Sequence, residues 1–372
     1  MNQKEIPQYA LFVNVKDLKE MQKDIWSEEA VQATMKFNKK RYDIDLLLRG
    51  SHIRKMKKKS YYIEFYSPKI FQRAKEIHLN AEYKDPSLMR NKLSLDFFSS
   101  LDVLSPHSQF VTLKINGKNE GIYLQLESVD ELFLKKRNLA DGSIFYAVDG
   151  DANFSLMSDL DKRPKTTLLS GYENKAVREG DEEKLEKFIF NLNTWTNTEF
   201  EQNIEKYLNV DRYLSWLVGI ICMQNYDGFV HNYAFYLNHE SGRFELIPWD
   251  YDATWGRDVN GKVMEGDYVR AQGFNTLTAR LLAVNSIKKR YIQKMNNVLR
   301  IIYNDKRDAK FRRPSIGICV QAFRFGTYDF SVRLVEWLEM IKLMGADMVY
   351  FYVLDATQNM VKVLRHYEDE VC

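Results

Sequence analysis

The side chains best suited to chemistry concentrate between residues 225 and 255. Asp227 precedes an amide, Asn232, by five positions within Asn225-Tyr-Asp-Gly-Phe-Val-His-Asn232. Asp250 follows at the end of an apolar run in Ile247-Pro-Trp-Asp-Tyr-Asp-Ala-Thr-Trp255. A carboxylate that orients a hydroxyl, then an amide and a second carboxylate that hold a hard divalent cation, is an order used in phosphoryl transfer. In that reading Asp227 engages the attacking hydroxyl, and Asn232 and Asp250 supply oxygen ligands to a magnesium ion on the phosphates. Asp252 is either a further acceptor behind them or the cap of the turn before Thr254. The competing reading of Asp227 is a turn aspartate, since glycine follows it at position 228.

Phosphates also call for cations and a base for a flat apolar surface. Lys59 heads the strand-like run Ser60 to Phe65, where its ammonium could reach the α- and β-phosphates. Its neighbours Lys55, Lys57 and Lys58 leave the choice open, and a lysine run reads equally well as a solvated face. Arg49 and Arg54 carry planar guanidinium groups suited to bidentate phosphate contacts. Glu127, after a hairpin, would pair with one of these cations or begin the next helix near Ser128. Trp249 adjoins Asp250, and Tyr146 lies in Ile144-Phe-Tyr-Ala147. Either ring could stack on adenine, or simply fill the core. Asp149-Gly-Asp151 has the form of a nucleotide-sugar metal motif and is read here as a loop. The six histidines include no His-Glu-x-x-His pair, and there is no Gly-x-Ser-x-Gly elbow or Gly-x-x-x-x-Gly-Lys loop, so zinc-protease, serine-hydrolase and P-loop chemistry have no support.

These residues need elements to bring them together. Tyr9 to Val15, Ile44 to Leu48, Tyr61 to Tyr66 and Phe110 to Ile115 read as short strands, and Asn116-Gly117 as a tight hairpin turn returning through Ile122 to Leu126. Apolar residues at Leu88, Leu93, Leu95, Phe97 and Phe98 predict an amphipathic helix from Pro86 to Leu101. The first third should therefore be a sheet with a helix laid on it. Residues 149 to 183 are polar and read as a long surface segment. Glu182 to Trp195 and Val210 to Gln224 show helical spacing, and Tyr233 to Leu237 with Phe244 to Ile247 form a hairpin that returns Trp249 and Asp250 towards Asp227. The acidic run Glu179 to Glu183 would suit a basic partner or be a solvated loop.

With 45% hydrophobic and 28% charged residues over 372 positions, the chain reads as globular, with room for two domains or one bilobal domain. A net charge of +3 neither argues for nor against nucleic acid, and no such partner is expected. Cys222, Cys319 and Cys372 form no Cys-x-x-Cys pair, which predicts a reducing compartment. The N-terminus is polar, predicting no signal peptide. Leu214 to Met223 is about half the ~20 residues of a membrane span and is read as a buried helix; no membrane association is expected.

Five blocks, in order, resemble the CotH family of atypical spore-coat protein kinases. They are Arg49-Gly-Ser-His-Ile-Arg54 with Lys57 to Phe65, His78-Leu-Asn-Ala-Glu-Tyr-Lys-Asp-Pro-Ser-Leu-Met-Arg-Asn-Lys92, Asn116 to Glu127, Asn225 to Trp255, and Gly273-Phe-Asn-Thr-Leu277. The resemblance runs to about residue 308. It implies an α+β, bilobal, protein-kinase-like fold, with a small lobe over about 1–145 and a large lobe over about 146–308. It further implies ATP and magnesium as cofactors, and transfer of the γ-phosphate to serine in Ser-rich basic spore-coat proteins. Synthesis in the mother-cell cytoplasm and assembly on the spore coat follow in the same way. The resemblance turns Asp227 from a turn residue into the catalytic carboxylate, with Asn232, Asp250 and Asp252 towards the metal.

The pattern changes near Lys310. Ser315 to Val320, Tyr328 to Met344 and Met348 to Val353 read as strand, helix and strand, before a last helix. Ile316-Gly-Ile-Cys-Val320, Leu334-Val-Glu-Trp337, Leu343-Met-Gly-Ala346 and Tyr350-Phe-Tyr352 resemble the start of the family 92 glycosyltransferases, making 312–372 a truncated β-α-β appendage.

Overall fold

The computed structural model describes residues 6–66, 70–265, 268–304, 316–325, 329–343 and 346–370. It is a mixed helix-and-sheet protein. Met1 to Ile292 form one compact unit and Gln293 to Cys372 a second. The proposed junction at 310–314 lies outside the described residues.

Alternating apolar residues build the first part of the chain into strands β1 (Gln8–Val13), β2 (Val31–Phe37), β3 (Lys40–Arg49), β4 (Ser60–Phe65), β5 (Glu76–Asn80), β6 (Ser108–Ile115) and β7 (Lys118–Glu127). The expected open sheet is in fact a closed barrel, in the order β1-β2-β3-β4-β5-β7-β6. Closure comes from parallel pairing of β1 with β6, Gln8 opposite Thr112 through Leu11 opposite Ile115. This pairing joins segments about a hundred residues apart, which local periodicity does not report. Tyr9, Leu11, Ile44, Ile63, Leu79 and Leu113 are among the fully buried residues of the barrel cluster. The Asn116-Gly117 turn forms as expected, with φ of 49° and 84° and Ile115 paired to Lys118.

Helix α1 (Val15–Lys23) follows the first strand, and α2 (Arg90–Ser100) follows β5. The second starts four residues later than the pattern suggests. Leu88 has φ 61°, and Asp85 accepts hydrogen bonds from the Ser87 amide at 3.0 Å and the Arg90 amide at 2.9 Å, so an Asp-Pro-Ser turn precedes the helix.

After the barrel come α3 (Glu131–Lys136), β8 (Gly142–Ala147), β9 (Tyr172–Ala176), α4 (Asp181–Thr194), α5 (Asn197–Tyr207) and α6 (Val210–Cys222). The hairpin β10 (Tyr233–Asn238) and β11 (Arg243–Pro248) is followed by α7 (Thr276–Ala283) and α8 (Asn285–Asn304). A four-stranded sheet forms in the order β11-β10-β8-β9. Strand β9 lies at its edge within the stretch read as irregular, because Tyr-Glu-Asn-Lys-Ala lacks the apolar alternation that marks a strand. The rest of that stretch is turns. Asp151 is knotted into its own loop by Ser158 Oγ at 2.9 Å and the Asp159 amide at 2.7 Å, so Asp149-Gly-Asp151 is a loop as read. Leu214 to Met223 lies in α6 and its end, mostly buried, and no described helix is long and apolar enough to cross a membrane.

The second unit contains β12 (Ile316–Phe325), α9 (Ser331–Leu343), β13 (Ala346–Ala356) and α10 (Gln358–Glu370), with β12 and β13 parallel. Its described core is small: Leu334, Leu338 and Met360. The barrel and sheet cores of the first unit use residues up to Trp249, and the buried Tyr251, Leu277 and Leu281 also precede Lys310. A chain ending at Lys310 is therefore expected to stay soluble and to keep the main unfolding transition of the full chain, read by calorimetry. An insoluble truncated chain beside a soluble full-length one would show that the first unit depends on the second.

Candidate active site

The loop after α6 is held by a buried amide. Asn225 donates from Nδ2 to the Ala253 carbonyl at 2.9 Å and accepts from the Gly228 amide at 2.8 Å, tying the Asp227 segment to the Asp250 segment. Asp227 opens a single 3-10 turn, Asp227–Phe229, and its carbonyl accepts from the Val230 amide at 3.1 Å and the His231 amide at 2.9 Å. Glycine at 228 is a matter of space: a Cβ there would stand 2.3 Å from the Tyr251 hydroxyl. That hydroxyl is fixed by Trp216 Nε1 at 2.9 Å. The Asp-Gly pair therefore serves close packing under the Asp250 loop as well as a turn.

Asn232 and Asp250 both adopt left-handed backbone, each with φ 57°. Asparagine and aspartate tolerate this region better than other non-glycine residues. The Asn232 amide bonds to the Ala147 carbonyl at 3.1 Å, and its own carbonyl takes the Trp249 amide at 3.0 Å. Its side chain reaches the Asp250 carbonyl at 3.4 Å. The hairpin β10–β11 thus brings Asn232 and Asp250 side by side at the open end of the sheet. From the barrel, Asn80 Nδ2 donates to Asp250 Oδ1 at 3.2 Å, and Arg49 donates to Oδ1 of the same Asn80 side chain.

Carboxylates gather around this point. Asp252 is raised well above the usual carboxylate range by burial first, then by Asp250, Glu82 and Asp227. Burial, then Asp250, pushes Glu82 up to about 7. Asn91 bridges Glu82 to the loop, donating to Glu82 Oε1 at 3.1 Å and accepting from the Tyr251 amide at 3.1 Å. Glu82 Oε2 is buried without a partner among the described residues. An unpartnered carboxylate oxygen beside mutually repelling carboxylates fits a divalent cation. No cluster of three or more His, Cys, Asp or Glu side chains among the described residues forms a metal cage. Magnesium bound by one or two carboxylates plus phosphates needs none.

The aromatic pair also converges. Trp249 and Tyr146 have ring centroids 5.6 Å apart, and the Arg49 guanidinium lies 5.4 Å from the Trp249 centroid. Both rings pack against the Val129, Phe133 and Ile144 cluster. Tyr146 is pinned by its hydroxyl, which accepts from the Val129 amide at 3.0 Å and donates to the Val129 carbonyl at 3.1 Å.

The remaining candidates lie elsewhere. Lys59 donates to the Arg54 carbonyl, and Lys55 stands 5.8 Å from the Trp26 ring centroid. Arg54 pairs with Glu28 at 2.9 Å and bonds the Gly50 carbonyl at 2.6 Å. Glu127 does not pair with these cations. It binds Lys136 at 2.8 Å and Arg137 at 2.7 Å, the last residue of α3 and the one that caps it. In the acidic run, Asp181 is buried and holds Ser143 and His239, each at 2.5 Å, so only its exposed neighbours face solvent.

The sequence reading missed the outward row of β5. Ile77 and Leu79 enter the barrel, while Glu76, His78 and Asn80 alternate with them and face the other way. Glu76 accepts from Tyr62 at 2.6 Å, from Ser128 and from Lys175 of β9. Burial alone would raise its carboxyl, but Lys175, Ser128 and Tyr62 together hold it below the usual range. The signal was present as a polar-apolar alternation, Glu-Ile-His-Leu-Asn, in which both faces are buried.

Glu82 makes one of these shifts measurable. Its folded value of about 7 exceeds an ordinary glutamate value, so the folded chain retains a proton that the unfolded chain has released. Stability should therefore fall as pH rises from about 4.5 to about 7. Without divalent cations, Glu82→Gln is expected to lack this loss and to gain on the parent across that window by a few kcal/mol at most, on the order set by the shift. Parallel pH profiles in urea unfolding would contradict the assignment.

Comparison with known proteins bears on the whole arrangement. The model for the CotH kinase protein family matches residues 46–308, and that for glycosyltransferase family 92 matches residues 315–370. The inner spore coat protein H of Bacillus subtilis (strain 168) is 60% identical over 302 residues, covering 81% of this chain and 83% of that protein. An inner spore coat protein H-like protein of the same organism is 30% identical over 243 residues, covering 65% of this chain and 67% of its own length. The crystal structure of the Helicobacter pylori proinflammatory kinase CtkA aligns over 73% of this chain and 64% of its own, at 10% identity and a TM-score of 0.26, too low to argue from. On the extent of the family match and the identity to the first relative, the chain belongs to the CotH kinase protein family.

Proposed function

We propose that the chain is an atypical protein serine kinase that transfers the γ-phosphate of ATP, with magnesium, to spore-coat proteins. The observation that carries this reading is the meeting of Asp227, Asn232 and Asp250 on two loops tied by Asn225, beside the Trp249, Tyr146 and Arg49 group. The barrel would act as the small lobe and the helices with the four-stranded sheet as the large lobe of a bilobal kinase. Family membership supports the reaction class. The name of the 60% identical relative supports a place in the spore coat.

In this reading Asp227 would accept a hydrogen bond from the substrate serine hydroxyl and take its proton as that oxygen bonds to the γ-phosphorus. The bond from the γ-phosphorus to the bridging oxygen would break in the same step, releasing ADP. Asn232 and Asp250 would hold magnesium through their hard side-chain oxygen atoms, with Asp252 and Glu82 adding negative potential behind them. Magnesium, when bound, offsets charge on the phosphate oxygens. Arg49, steadied by Asn80, faces the phosphates, and Trp249 and Tyr146 offer aromatic surface to adenine. Ser-rich substrates with basic tails would meet exposed acidic residues such as Glu179, Glu182 and Glu183.

Asp227→Asn keeps the size and most hydrogen bonding of the side chain but removes the proton acceptor. It should abolish phosphate transfer from labelled ATP to a Ser-rich basic peptide, by at least about a hundredfold, with the unfolding midpoint kept. Full transfer by a folded variant would sink the role. Asp250→Ala should instead weaken magnesium-dependent ATP binding in calorimetry, since a metal ligand is lost. An unchanged affinity would count against that assignment.

A further inference from the structure

The outward row of β5 leaves one side chain unexplained. Glu76 is bonded by Tyr62, Ser128 and Lys175, and Asn80 joins Arg49 to Asp250. His78 lies between them at only 7% exposure, and neither ring nitrogen has a hydrogen-bond partner among the described residues. Buried polar side chains are nearly always bonded, so a histidine with two orphan nitrogens calls for a missing partner. Its place suggests which one. The Trp249 ring meets it edge-on, with centroids 4.9 Å apart and planes at 80°, and Trp249 adjoins Asp250. His78 therefore lines the pocket in which the base of a nucleotide would lie.

The state of the ring follows from its neighbours. Burial first, then the Arg49 and Lys175 cations, hold His78 well below the usual histidine range, so the imidazole is neutral, with one donor and one acceptor. Nε2 faces Glu76 Oε1 at 4.0 Å. An ionised carboxylate only accepts, and its field favours the proton on the nitrogen facing it. Nδ1 is then an acceptor with nothing to accept from.

We propose that His78 selects the base: its Nδ1 accepts a hydrogen bond from the 6-amino group of a purine, favouring adenine nucleotides over 6-oxo purines. This rests on the nucleotide-binding reading above. Access requires one movement. Two rings that hold a base between them must stand about 7 Å apart, at roughly 3.5 Å per face, whereas the Tyr146 and Trp249 centroids are 5.6 Å apart. Tyr146 is pinned at Val129, so Trp249 is the ring that moves. Trp249 is also the ring packed against His78, so its movement opens space beside the imidazole.

The test compares ATP with inosine triphosphate, in which an oxo group replaces the 6-amino group, by calorimetry with magnesium on the full chain and on His78→Phe. The unaltered chain should bind ATP at least about tenfold more tightly, because a site built to accept from an N–H is left unpaired by the analogue. The phenylalanine variant keeps a ring against Trp249 but no nitrogens, and should bring the two affinities within about twofold. Equal binding of both nucleotides by the unaltered chain, which needs no variant to fold, would overturn the inference while leaving the kinase reading intact. So would a preference for ATP that survives in a folded His78→Phe chain. Failure of the unaltered chain to bind any nucleotide would overturn both.

Discussion

Strand β5 has no solvent face. Its five side chains are all buried, and the two-residue period of a strand sends Ile77 and Leu79 into the barrel and Glu76, His78 and Asn80 out of it. Each of the three adjacent polar groups costs about 1–3 kcal/mol if it is covered without a partner. Glu76 and Asn80 find partners, whereas His78 has none among the described residues. The covering surface is the sheet β11-β10-β8-β9 and the loops at its end. Lys175 on β9 meets Glu76, and Asp250 beyond β11 meets Asn80. Barrel and sheet are thus registered against each other by polar contacts of fixed geometry. The same contacts set where Asp250 stands. Strand β5 is itself paired on both sides, with β4 and with β7, and cannot slide.

On the opposite side, backbone conformation does the positioning. Asn232 and Asp250 flank the hairpin at left-handed φ, which turns both side chains out of the sheet where the strands end. Asn225 then spans the gap between the loops with two hydrogen bonds from one buried amide, and Thr254 adds a third tie to the end of α6 at 2.8 Å from the Met223 carbonyl. Replacing either left-handed residue by a β-branched one would strain the backbone as well as remove an oxygen atom.

What was legible in the sequence follows from how locally each feature is encoded. The Asn116-Gly117 turn, the β10–β11 hairpin and helices α4 and α6 depend on nearby residues, and they form close to where the pattern puts them. The approach of Asp227, Asn232 and Asp250 was also legible, since one hairpin and one helix end suffice to bring them together. Barrel closure was not, because a parallel pairing between residues near 10 and 113 leaves no short-range signature. Arg49 does reach Asn80 and Trp249, but the contact made by Lys59 was not legible, for a related reason. A lysine at the head of a strand looks available, but which carbonyl it finds depends on the turn before it, and Lys59 finds Arg54. Glu127 likewise looked free to meet the barrel cations until α3 placed Lys136 and Arg137 against it. Lys175 was missed because its strand is an edge of mixed polar composition.

The charge arrangement explains why these supports are needed. Asp252 shares a loop with Asp250, and burial together with Asp250, Glu82 and Asp227 opposes its ionisation, while Arg49 reaches an amide rather than a carboxylate. Left to itself such a group would spread apart and take in water. It is held by neutral donors instead, Asn80 on Asp250 and Asn91 on Glu82, which restrain the oxygen atoms without cancelling their charge. Lysine or arginine in those two positions would carry the cost of burying its own charge and would weaken the proposed cation site, because the protein's own charge would already occupy the carboxylates. Amides keep the geometry and leave the negative potential for a ligand. In the proposed magnesium site, local stability would thereby be traded for negative potential kept open to a ligand.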